Sequence, residues 1–212
     1  GKGGGPLRTA MKKSVLPPRK VTELSSFTSS TAATDGSVTS GTMKRLAKEL
    51  RDAAQGKPDV WLGSGEGVHI FPVETDIREW RAVIEGPPGS PFEGGNFALR
   101  IVAPNNYPFS APKITFITPV YHCNVSDSGG ICIEELLSRW SPNLTIPRAI
   151  EMVRALLREP DTDNALRQWI AELVIANRKH QDADTRYVDE AKVHTATHAS
   201  SSIEELVQSW SH

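Results

Sequence analysis

The sequence predicts an α+β domain, and three observations carry that reading. An apolar period of helical spacing surrounds Leu46. Four short strand-like runs follow between residues 68 and 117, joined by Gly- and Pro-rich links. Helical periods return after Thr145. The predicted order is an N-terminal helix, a four-stranded antiparallel meander, a functional loop and three C-terminal helices.

The first helix begins near Gly41. Leu46, Ala47, Leu50, Ala53 and Ala54 share one face, and Lys44, Arg45, Lys48 and Glu49 lie on the others. Gly56 and Pro58 stop it. The strands are expected at Val68–Phe71, Trp80–Ile84, Asn96–Val102 and Lys113–Ile117. In the third, Phe97, Leu99 and Ile101 alternate with Arg100. Short links between consecutive strands favour antiparallel neighbours. Residues 118–144 lack a period and hold both cysteines, and a long irregular stretch in a compact domain usually carries function. Thr145 caps the next helix, with Pro147 tolerated in its first turn and Pro160 ending it. Leu166, Trp169, Ile170, Leu173 and Val174 form the stripe of another, with Trp169 and Met152 read as core. A further helix is expected over 182–194.

The chain has 212 residues, 38% hydrophobic and 23% charged, enough for one self-supporting core plus appendages. Residues 1–40 carry six basic and two acidic side chains and turn Ser/Thr-rich after residue 21, so a disordered extension is expected. Such a tail suits an import signal, a modification platform or simple solvation. Residues 41–195 form the core. Residues 196–212 form a tail whose Ile203, Leu206, Val207 and Trp210 stripe suits a short amphipathic helix, packed on its own domain or in a partner groove. The net charge of -1 disfavours nucleic-acid binding, and no apolar run of membrane-spanning length or secretory leader is visible. Two cysteines, Cys123 and Cys132, are too few for a disulfide framework or a four-thiolate zinc site, so no metal is expected and free thiols in cytoplasm or nucleus are.

The most specific stretch is Tyr121-His122-Cys123-Asn124, then Ile131-Cys132-Ile133, then Trp140-Ser141-Pro142. Asn124 precedes Cys132 by eight residues, and Trp140 follows it by eight. Taken alone, Cys132 between two isoleucines suits a small buried hydrophobe as well as a nucleophile. The spacing, however, resembles the catalytic region of ubiquitin-conjugating enzymes. Tyr107-Pro108-Phe109 through Pro112-Lys113, Gly86-Pro87 through Gly94-Gly95, Leu144-Thr145-Ile146 and Glu159-Pro160-Asp161 resemble further family motifs in the same order. The resemblance covers residues 42–194.

That resemblance implies the family fold and an acyltransferase that forms a thioester. Cys132 takes the ubiquitin carboxyl from the activating enzyme, and a substrate lysine or a ligase cysteine then attacks. Sulfur suits this as both nucleophile and leaving group. Asn124 either stabilises the oxyanion or pins the surrounding loop, and Tyr121 lines the site. Lys44, Arg45 and Lys48 match contacts for the activating enzyme. Phe109, Pro142 and Asn143 match ligase-facing loops, a RING-type ligase being expected. The protein needs no cofactor of its own, since ATP is used upstream.

The sequence also departs from the family pattern. Cys123 stands where the family usually has Pro and is read as structural, and His122 as a loop hydrogen-bonder. The family's acidic gate falls on Asn164, which cannot accept a proton at neutral pH, with Asp163 beside it. Glu151 stands where an apolar residue often faces the donor ubiquitin. A longer segment between Pro58 and Trp80 argues against noncovalent ubiquitin binding on the back of the sheet. Two alternatives stay open: a conjugating enzyme for another ubiquitin-like modifier, and a catalytically weak ubiquitin-binding scaffold.

Overall fold

The computed structural model describes residues 38–54, 62–73, 75–131, 140–180 and 183–210. The expected N-terminal extension up to residue 37, the stop signals Gly56 and Pro58, and Cys132 lie outside them. Helix α1 spans Ser40–Ala54. Thr39 starts it, its Oγ1 accepting from the Thr42 N–H at 3.1 Å. The sheet follows as β1 Leu62–Gly65, β2 Val68–Pro72, β3 Glu79–Glu85, β4 Asn96–Val102 and β5 Lys113–Phe116. Every neighbouring pair is antiparallel and the order is sequential. The four expected strands are present, and the short β1 precedes them.

Alternation along the strands gives the sheet two faces. Val68, Ile70, Trp80, Ala82, Ile84, Phe97, Leu99, Ile101 and Ile114 point to the core and are buried. Helix α2, Ile146–Arg158, covers that face with Ile146, Ala149, Ile150, Val153 and Leu157. Each large side chain buried here contributes about 1.5–3 kcal/mol. The α2 start is as expected, with Thr145 Oγ1 accepting from the Arg148 N–H and Pro147 in the first turn. Helices α3, Gln168–Lys179, and α4, Arg186–His198, pack against each other. Helix α4 begins four residues later than the expected 182. Asp184 instead holds the Arg186 N–H and guanidinium, a local turn ahead of the first helical residue.

One expectation is corrected in α1. Glu49 is not on a solvent face; it is 4% exposed. Its carboxylate accepts from Tyr107 Oη at 2.6 Å, Arg45 Nε at 2.6 Å and the Ile146 N–H at 2.8 Å. Three donors offset the cost of burying the charge.

The tail forms helix α5, Ile203–Ser209, opened by a reciprocal Ser202–Glu205 capping box. It lies on the outer face of the sheet. Asn96 donates from its main chain to Ala199 O and from its amide to Ser201 O. At the other end Trp210 meets Phe71 edge to face at 5.4 Å. Val83 and Ala98, register partners on that side of the sheet, are 0% exposed although they point away from the core.

Candidate active site

The chain leaves β5 into a loop that folds back on the strand. Phe116 N–H donates to Gly129 O at 2.9 Å and Ser126 N–H to Gly130 O at 2.7 Å. Single bridges join Thr115 to Gly130 and Val125 to Ile131. Gly129 has φ +79°, and a Cβ there would sit 2.0 Å from Phe116 O, so only glycine fits. These contacts bring Ile131, the residue before Cys132, beside Val125, the residue after Asn124.

His122 is fully buried. Its Nδ1 accepts from the Asn124 N–H at 3.1 Å, so Nε2 carries the proton and donates to Leu156 O at 3.0 Å. Burial pushes its pKa down to about 4, with Arg167 and Arg178 acting in the same sense and the Leu156 bond against them. It is a neutral peg between the loop and α2, not a base.

Asn124 is 1% exposed, and both ends of its amide are engaged. Nδ2 donates to Asp161 O at 2.7 Å and Asn164 O at 3.1 Å; Oδ1 accepts from the Asp161 N–H at 2.9 Å. Of the two roles left open for it, this geometry is that of a pin. The Asp161 carboxylate in turn accepts from the Asp163 N–H at 3.0 Å, the Asn164 N–H at 3.3 Å and Asn164 Nδ2 at 2.8 Å. Asp163 and Asn164 are exposed. Asp161 closes the Glu159-Pro160-Asp161 motif, which by itself points to no role for the carboxylate. The signal was available: Asp followed by polar residues two and three positions on is a local carboxylate-to-backbone turn.

Cys123 is buried, its Sγ 3.3 Å from Asn124 Oδ1. Its carbonyl accepts from the Leu166 and Arg167 N–H groups at the entry to α3. Burial pushes its thiol up to about 11. Tyr121 is half-buried and packs on Trp169 edge to face at 5.5 Å. Burial also raises its pKa, helped by Glu190. Trp169 is corrected: it is 56% exposed, held at the surface by Tyr121 instead of lying in the core. Met152 packs against the core, half-buried.

Lys44 and Lys48 are exposed on α1, Lys48 paired with Asp52. Arg45 turns inward, to Glu49 and to Leu144 O at 2.8 Å, stacked 6.0 Å over the Tyr107 ring. Phe109 is 78% exposed, and Pro142 and Asn143 are exposed. Their two loops are tied together: Trp140 Nε1 donates to Pro108 O at 2.8 Å, and its ring packs on Tyr107. Glu151 pairs with Arg148 on α2. Among the described residues no three His, Cys, Asp or Glu side chains gather as a metal site, and no helix is long and apolar enough to cross a membrane.

The family model described as ubiquitin-conjugating enzyme matches residues 45–188. A ubiquitin conjugating enzyme structure from Plasmodium yoelii is 34% identical, covering 77% of this chain and 99% of that one, with a TM-score of 0.64. The E2 domain of a Toxoplasma gondii ubiquitin conjugating enzyme is 38% identical, covering 74% of this chain and 97% of that one, with a TM-score of 0.60. The strand meander under α2, the pinned loop before Cys132 and these matches over most of the length agree: the chain belongs to the ubiquitin-conjugating enzyme family.

Proposed function

We propose that this protein accepts ubiquitin from the activating enzyme as a thioester on Cys132 and passes it, with a RING-type ligase, to a substrate lysine. The observation that carries this reading is the Asn124 frame. A buried amide ties the loop before Cys132 to the loop before α3, so the two loops flanking that cysteine in the family motif are held in one fixed relation. The thiol attacks the activated carboxyl carbon, and the lysine amine then displaces the sulfur. Lys44 and Lys48 present the positive charge for the activating enzyme. Arg45 supports that face from within by bracing α1 against the Leu144 loop. Phe109, Pro142 and Asn143 form the ligase surface, with the Phe109 ring 78% exposed and free to pack on a partner. No cofactor is needed on this chain, ATP being consumed upstream, and the reducing cytoplasm or nucleus suits a working thiol.

The test is a charging reaction with activating enzyme, ubiquitin and ATP, read on non-reducing gels. A reductant-sensitive adduct is expected, lost in Cys132→Ala and replaced by a reductant-stable ester in Cys132→Ser. No adduct with ubiquitin, against an adduct with another ubiquitin-like modifier and its own activating enzyme, would reassign the modifier. No adduct with any modifier would leave a binding scaffold.

A further inference from the structure

We propose that the cavity between the turn at residues 126–129 and His194 of α4 binds an acidic side chain of a partner polypeptide, with Arg167 as its ion-pair partner. The assignment goes beyond the thioester reading and does not rest on it. The cavity measures about 160 Å³, and Arg167, His194, Ser126, Ser128, Ile117 and Pro119 contribute to its wall. Sites for whole small molecules run from about 300 to 1,000 Å³, so this one has room for a single side chain. Arg167 supplies the decisive observation. Its Nη2 pairs with Asp127, and its Nε is buried with no partner among the described residues. These two atoms form one edge of the guanidinium fork. Arg78 gives both atoms of that edge to Asp76, at 3.0 and 2.8 Å, and Arg100 gives both to Glu79, at 3.0 and 2.7 Å. Arg167 uses half of its edge.

The unfilled half defines the ligand. A buried donor without a partner costs free energy, and an Nε–H beside an Nη2–H matches the two oxygens of one carboxylate. Asp127 reaches Nη2 from outside: its side chain is 97% exposed, against 16% for Arg167. So exposed a pair is weak and yields to a competitor at little cost. The walls add neutral donors. Ser126 Oγ and Ser128 Oγ lie 3.0 Å apart; their mutual bond uses one hydroxyl proton and leaves the other to give. His194 is held between Tyr121, 6.1 Å away, and His198, 4.3 Å away, and its ring carries an N–H in either tautomer. The remaining wall is apolar and open to solvent, with Ile117 47% exposed and Pro119 exposed. Donors beside a hydrocarbon rim suit a carboxylate on a short carbon stem, which is the side chain of glutamate or aspartate. A bare phosphate would leave the rim unused.

The experiment titrates the isotope-labelled full chain with N-acetylglutamate amide and follows the Arg167 Nε–H and Gly129 N–H resonances by NMR. A saturable shift with a Kd of about 1 mM is expected, the scale of one weakly held side chain. Separate arms use N-acetylglutamine amide, which keeps the shape without the charge, and inorganic phosphate, which keeps the charge without the stem. Both are expected to bind about tenfold more weakly, one for want of an ionised acceptor and the other for want of apolar contact. Asp127→Asn removes the resident carboxylate and tightens glutamate binding about threefold, the scale of one exposed ion pair. That change is at the surface, and a gain in affinity cannot come from unfolding. Arg167→Lys keeps the charge but loses the fork, and weakens binding about tenfold at the Gly129 N–H. No saturable shift, or equal binding of the glutamine analogue, would overturn the proposal. So would a Kd unmoved by Asp127→Asn or by Arg167→Lys. Phosphate bound as tightly as the glutamate analogue would leave a bare oxyanion site and overturn the side-chain assignment. None of these readouts needs a thioester, so this proposal and the charging reaction stand or fall separately.

Discussion

Glu49 on α1 and Tyr107 after β4 are 58 residues apart in sequence and share a 2.6 Å hydrogen bond in the buried core. With Arg45 and the Ile146 N–H, this carboxylate joins the first helix, the Phe109 loop and the start of α2. Tyr107→Phe removes one donor from a buried charge and is expected to cost about 1.5–3 kcal/mol. Glu49→Ala strands three donors and is expected to cost about 3–5 kcal/mol. Urea unfolding of the two variants beside the parent measures both, and equal small losses would mean the network is not buried as described.

His122 links stability to pH. Its folded pKa of about 4 lies below the ordinary value of about 6.5 for a free histidine. Between those values the unfolded chain binds a proton that the folded one refuses. This contribution is therefore fully present above about pH 6.5 and is lost as pH falls toward 4, a total of about 3 kcal/mol. The His122 ring resonance in NMR is expected to stay in its neutral position down to pH 5.

Gly129 and Gly94 share a left-handed backbone, φ +79° and +81°, but differ in surroundings. Nothing lies within 4 Å of a Cβ at Gly94, whereas one at Gly129 strikes the Phe116 carbonyl. Gly94→Ala is expected to cost only the backbone term of about 1–2 kcal/mol. Gly129→Ala costs clearly more and breaks the Phe116–Gly129 bond that holds the loop. Melting temperature and thioester yield, measured together, separate the two: Gly94→Ala lowers the first alone, Gly129→Ala lowers both.

Cys123 is expected to be chemically silent in the folded protein. With its thiol pushed up to about 11, the thiolate fraction at pH 8 falls on the order of a hundredfold below that of a free cysteine. Iodoacetamide followed by peptide mass spectrometry should leave Cys123 unmodified in the native protein and modify it in urea. Ready native labelling would contradict its burial.

Much of the scaffold was legible because it is periodic. In Asn96–Val102 the large apolar side chains Phe97, Leu99 and Ile101 recur at every second position, and Thr145 with Pro147 announces the start of α2 through side-chain chemistry alone. What escaped depends on partners far along the chain. β1, Leu-Gly-Ser-Gly, has neither alternation nor β-branched residues and exists because β2 pairs with it. Glu49 reads as a surface residue because nothing nearby shows that Tyr107 and Ile146 will supply its donors. Trp169 sits on the right stripe, but the stripe is wider than the face that α3 buries, and Tyr121 takes its ring at the rim. The motif around Asn124 was plain in sequence. Its hydrogen bonds, to residues 37 and 40 positions later, were not.

Helix α5 gives the far end of the chain a different standing. The outer side of the sheet has no core behind it, and helix α5 is fastened across it at two points, Asn96 through Ser201 and Phe71 through Trp210. A shortened chain ending near residue 199 would leave the Phe71 ring without its Trp210 partner and the Asn96 amide without the Ser201 carbonyl on that side of the sheet. What looks like a trimmable overhang is a strap across the back wall.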